Sequence, residues 1–157
     1  MEKIDIDAGV AGEYYVAAEL TRRGYIACLT SKNTKTIDIL ASNKTGSKSV
    51  SIQVKTRKKA KDFALNVKDE LLEDNDNLFY IFVNLNISNK KGVLSYGEVE
   101  YYVVPMMKVK NFIYNGHREW LKTPRKDGEL HPDTNIRKYK LQEDDKLNNF
   151  EILGLDY

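Results

Sequence analysis

At 157 residues, with 41% apolar and 31% charged side chains, the chain fits one packed domain, and 9 glycines and 3 prolines are too few for a fibrous or disordered polymer. A formal net charge of +2 excludes a molecule that is basic all over, so any attraction to phosphate must come from how the cations are distributed. No apolar run approaches the roughly 20 residues of a membrane helix, the acidic start MEKIDIDAGVAGE does not suit a signal peptide, and a lone cysteine has no intrachain partner, which predicts a cytoplasmic protein with no membrane partner.

In residues 8–24, AGVAGEYYVAAELTRRG, the apolar positions Tyr14, Tyr15, Val16, Ala17 and Leu20 recur at helical spacing and Gly24 supplies a stop. A helix turn puts Glu13 on the stripe of Val16, Ala17 and Leu20, at one end of the buried face, and turns Glu19 toward water. YIACLT (25–30) predicts a short strand with Cys28 as a small buried hydrophobe, and SKNTKT (31–36) a polar loop. Two strands follow, at about 37–42 and 49–56, within TIDILASNKTGSKSVSIQVKT. A turn centred on Thr45-Gly46 sets Asp38 opposite Gln53 in an antiparallel pair. Alternation then gives one apolar face, from Ile37, Ile39, Ala41, Val50, Ile52 and Val54, and one polar face carrying Asp38, Gln53 and Lys55. The next stretch, KTRKKAK (55–61), has five cations in seven residues.

Residues 66–76 predict a short helix or loop, and LFYIFVNLNI (78–87) a central strand, being apolar on both faces. A turn at 89–93 and a strand at 99–104 follow, the strand stopped by Pro105. Val109, Phe112 and Ile113 predict a helix within 106–121 that Asn115-Gly116 breaks. Residues 122–135 read as a loop, and the tail NNFEILGLDY should pack back onto the body. This order implies an α/β sandwich around a mixed sheet. His117 and His131, 14 apart with no cysteine nearby, lack zinc-site spacing and read as surface or cap residues. Tyr14, Tyr15, Tyr101, Tyr102 and Trp120 read as packing residues, although tyrosines can also stack bases.

The polar face has a definite chemistry. A carboxylate and an amide oxygen suit Mg²⁺, which takes few protein ligands and fills its octahedron with water and phosphate oxygens. Asp38 and the Gln53 side-chain oxygen meet that need, and the Val54 backbone carbonyl can be a third ligand. Lys55, on the face of Gln53, would stand beside a metal-bound water and stabilise charge on a pentavalent phosphorus.

Gly12-Glu13, Ala17 to Leu20, Gly24-Tyr25, TIDILA and IQVKT together resemble the PD-(D/E)XK nuclease superfamily, especially small members such as archaeal Holliday-junction resolvases. The resemblance spans residues 12–56. It implies a restriction-endonuclease-like mixed β-sheet flanked by helices in one domain, with a core at 8–104 and a helix and loop extension at 105–157. It further implies a metal-dependent endonuclease with Asp38 as principal metal ligand, Glu13 completing the metal site or holding its water, Gln53 in place of the second acidic ligand, and Lys55 as catalytic lysine. Mg²⁺ is the implied cofactor, with Mn²⁺ as substitute. DNA is the implied partner, steered by Arg57, Lys58 and Lys59, while RNA and a homodimer stay open. Two departures stand out: Ile37 precedes Asp38 where proline is usual, and Gln53 brings no charge where Glu or Asp is usual. The rival reading is a catalytically inactive nucleic-acid or protein interaction module on the same fold, with Gln53 as the trace of decay.

Overall fold

The computed structural model describes residues 7–31 and 36–156. Helix α1 (Ala8–Arg22) starts where the Asp7 carboxylate accepts the Val10 amide at 3.1 Å, and it ends before Gly24, whose φ of +89° side chains other than glycine rarely adopt. Its buried stripe is Gly12, Val16 and Leu20. Strands β1 (Ile26–Leu29), β2 (Ile39–Ser42) and β3 (Ser49–Arg57) form an antiparallel meander. The chain then makes β4 (Asp62–Asn66) and the single-turn α2 (Val67–Glu70) before β5 (Leu78–Asn84), which lies parallel to β3. That intervening chain is the crossover a parallel pair requires. A hairpin of β6 (Ile87–Lys90) and β7 (Val93–Tyr96) leads to β8 (Glu100–Pro105), antiparallel to β5. Helix α3 (Met106–Lys122), β9 (Ile136–Lys140) and a 3-10 turn (Phe150–Leu153) complete the described chain.

The main sheet has the order β1-β2-β3-β5-β8, and β4 pairs with β9 in a separate ribbon. This is the mixed sheet with flanking helices expected from the sequence. The tail also behaves as expected, with Phe150, Leu153 and Leu155 buried. All seven residues of β5 are buried, because each sheet face has its own core. On one face α1 and the tail cover Ile39, Ile52, Ile81 and Val103. On the other, α3 and the ribbon cover Tyr80, Phe82 and Val104 with Met106, Ile113, Phe63 and Tyr139. Burying each such side chain contributes about 1.5–3 kcal/mol before the entropy of ordering it. Among the described residues no helix is long and apolar enough to cross a membrane.

Several local expectations need correction. Helix α3 runs unbroken through Asn115-Gly116, because the burial of Met106, Val109, Ile113 and His117 along one stripe outweighs the helix cost of Asn and Gly. Cys28 is exposed: it lies on edge strand β1 opposite Leu40, on the part of the sheet that α3 and the ribbon do not reach. Tyr14 and Tyr15 are also exposed, since the stripe that meets the sheet runs through Gly12, Val16 and Leu20. Glu19 does not face open water; Arg22 and Arg23 fold over its carboxylate at 2.7 and 2.8 Å, leaving the side chain 12% exposed. His117 is buried, with its Nε2 2.7 Å from Asp133 Oδ1.

Candidate active site

The β2–β3 hairpin sets the register of the polar face. Its loop closes with the Asn43 amide donating to the Lys48 carbonyl at 3.1 Å, and Gly46 takes a φ of +72° that favours glycine. Ile39 pairs with Ile52 and Ala41 with Val50, so one step further Asp38 stands opposite Gln53. The Asp38 backbone is held on both sides: its amide donates to the Ile52 carbonyl at 2.8 Å, and its carbonyl accepts the Thr30 amide at 2.9 Å.

The side chains meet as well. Asp38 Oδ2 accepts from Gln53 Nε2 at 2.8 Å and from the Val54 amide at 2.7 Å. Burial pushes the Asp38 carboxyl above the usual carboxylate value, while the Val54 amide and the Lys55 ammonium draw it back. Lys55 is half-buried and pairs in register with Phe82. Gln53 pairs with Tyr80, whose hydroxyl donates to Asp69 Oδ1 at 2.7 Å and whose own titration is pushed up by burial and then by the charges of Asp69 and Asp38. Tyr80 and Asp69 were not legible as neighbours of the site, because β5 reads in sequence as apolar on both faces.

Glu13 comes from the other side of the sheet. Gly12 lies so close to β3 that a β-carbon there would sit 1.8 Å from Thr56 Oγ1 and 2.8 Å from Thr56 Cβ. Only glycine permits this approach of α1 to Thr56 of β3, and the next residue, Glu13, is half-buried. Asp38, Gln53, Val54 and Lys55 are thus joined by hydrogen bonds or by charge, and Glu13 is placed by how α1 seats on β3.

Beyond Lys55 the basic run forms a pinned ledge. The Arg57 and Lys58 carbonyls accept the Leu85 and Ile87 amides at 3.0 and 2.9 Å. The Asn84 side chain brackets Ala60 by accepting its amide at 2.9 Å and donating to its carbonyl at 2.6 Å. With the backbone held, Arg57, Lys58 and Lys59 project into solvent. The ribbon extends the ledge: Lys140 lies opposite Asp62, Lys138 opposite Ala64, and both lysines are exposed. Their place was hidden in the sequence by the long separation between β4 and β9.

Among the described residues no three or more His, Cys, Asp and Glu side chains gather as a metal site. The donors gathered around Asp38 are oxygens, from Asp38 itself, the Gln53 amide and the Val54 carbonyl, a set that fits a hard divalent cation with few protein ligands. The Val54 amide points to Asp38, so its carbonyl opens on the same side of β3. Gln53 presents nitrogen to Asp38, so a cation between them needs the amide turned over to bring its oxygen round.

No protein-family model matches the chain, and no curated protein matches it. Among solved structures it is similar to Hjc of Archaeoglobus fulgidus, described as a Holliday junction resolvase from an archaeal hyperthermophile, with a TM-score of 0.46 and 15% identity over 84% of this chain and 83% of that one.

Proposed function

We propose that the chain is an endonuclease that hydrolyses phosphodiester bonds in DNA with Mg²⁺, or Mn²⁺ in its place. The observation that carries this reading is Asp38 held by Gln53 and the Val54 amide on the face that Lys55 shares, at the start of a basic ledge. Asp38, Glu13, the Gln53 oxygen and the Val54 carbonyl would hold the cation. A bound Mg²⁺ would supply Lewis acidity and lower the pKa of an attacking water. Lys55 orients that water and stabilises the negative charge that develops on the phosphoryl oxygens. Arg57, Lys58 and Lys59 hold the flanking phosphates by charge-assisted hydrogen bonds.

Asp38→Ala and Lys55→Ala should each reduce cleavage by about a hundredfold or more, the scale of losing one electrostatic contributor, while circular dichroism shows the fold retained and Asp38→Ala melts a few degrees lower for its two lost hydrogen bonds. Wild-type protein that leaves duplex, branched and single-stranded DNA intact with either cation would sink the proposal. The Gln53 amide on Asp38 favours a second reading, since it satisfies the carboxylate without a cation. On that reading the chain is an interaction module, and calorimetry would register DNA binding with no divalent-cation binding.

A further inference from the structure

A cavity of about 580 Å³ opens between α3 and β9, with none of Asp38, Gln53 and Lys55 in its lining, within the size range of small-ligand sites. Phe112, Gly116 and Trp120 form its helix side, and Ile136, Lys138 and Lys140 its strand side. Gly116 is the telling residue. A glycine inside a helix costs about 1 kcal/mol relative to alanine, and here a β-carbon would meet nothing within 4 Å. No close backbone approach or positive φ calls for glycine at this position. What its bareness provides is the open space of the cavity itself.

The walls specify an occupant. Trp120 and His117 both line the cavity, with 5.5 Å between ring centroids and 28° between planes, and Trp120 is braced by His131, which stacks on it at 4.1 Å, so one wall is aromatic. His117 is fixed in that wall by Asp133. The mouth carries Lys138 and Lys140, which form no ion pair among the described residues. A flat apolar ring with a polar edge and an anionic tail matches apolar and aromatic walls, the Thr134 and Asp62 side chains, and two free ammonium groups. That description is a nucleotide. The lysines also stand where the ribbon joins the basic run, since the Leu141 amide donates to the Lys61 carbonyl at 3.0 Å.

We propose that this cavity receives the base of one nucleotide, with its phosphate on Lys138 and Lys140. The inference rests on the nuclease reading only for the source of that nucleotide, an unpaired base of a strand held along the ledge. The chain contains one tryptophan, so its emission reports this wall alone. Titrations with an oligothymidylate octamer, the same length of blunt duplex, thymidine monophosphate and inorganic phosphate separate the cases. Saturable quenching is expected with the single strand or the mononucleotide, whichever binds tighter naming the source. Gly116→Leu, which fills the cavity and favours helix, should weaken that binding roughly tenfold or more, the scale of losing one stacked base. Circular dichroism should show the helix of the leucine variant intact, since leucine favours helix over glycine. Lys138→Ala with Lys140→Ala should weaken binding and flatten its salt dependence.

Unchanged affinity in Gly116→Leu, or equal quenching by phosphate alone, overturns the inference. Asp38→Ala separates it from the nuclease reading, because that substitution leaves the cavity walls intact. Quenching that persists without any cleavage supports the cavity and removes the nuclease. Cleavage of DNA that never perturbs Trp120 does the reverse.

Discussion

At the scale of single residues, Gln53 decides how the polar face behaves without a cation. Its amide nitrogen lies 2.8 Å from Asp38 Oδ2, so Gln53→Glu would set a buried carboxylate against the half-buried one of Asp38. Losing that hydrogen bond and gaining like charge should cost on the order of 1–3 kcal/mol. In EDTA the variant should therefore melt several degrees lower, at about 2–4 °C per kcal/mol for a chain of this size. Added Mg²⁺ should restore the loss and bind more tightly than to wild type, and a melt indifferent to Mg²⁺ would count against a cation at this position. Lys55 allows a second check. Burial raises the Asp38 carboxyl, so the fold tolerates its protonated form better: this residue contributes stability below its unfolded pKa that is lost as pH rises through the folded value. The Lys55 charge lowers that folded value, so Lys55→Met should move the NMR titration midpoint of Asp38 to higher pH. A midpoint that stays or falls would mean the ammonium does not act on Asp38.

At the scale of elements, the seating of α1 on β3 depends on a missing methyl group. Gly12→Ala would bring a carbon within 3 Å of Thr56 Oγ1, Cβ and Cγ2 together, so no rotamer of Thr56 relieves the clash. Overpacking of this kind costs about 1–3 kcal/mol. Because the helix must lift, Glu13 moves with it, and cleavage should fall further than stability alone explains; denaturant melts beside kcat measurements test this. The β2–β3 register was legible because it is local, with a short loop and an alternating pattern that leave one alignment with the apolar residues on one face. The β4–β9 ribbon was not legible. Phe63 pairs with Tyr139 across about half of the chain, and neither DFALN nor IRKYK is long or apolar enough to announce a strand without its partner. The β6–β7 hairpin was missed for a related reason: its exposed polar strands bury too little to leave a pattern. Glu70 ties the ribbon to its neighbours, held by Arg137 of β9 and Arg118 of α3.

At the scale of the molecule, charge is arranged along a path while the net charge stays small. The run at 57–61 and the lysines of β9 come together only once the ribbon forms, so the fold rather than the composition builds the basic surface. For duplex DNA each phosphate contact contributes about 0.9 to the slope of log affinity against log salt. Replacing Arg57, Lys58 and Lys59 with alanine should therefore lower that slope by roughly 3 if all three touch phosphate. An unchanged slope in a salt titration would place the DNA elsewhere. The sheet in turn depends on parts of the chain far from it in sequence: β9 closes the core under α3, and Phe150, Leu153 and Leu155 close the core under α1. Every residue of the polar face is translated before either cover exists, since Asp38, Gln53 and Lys55 precede residue 136. A nascent chain on the ribosome thus carries Asp38, Gln53 and Lys55 before it carries the segments that complete the cover on both faces of their sheet.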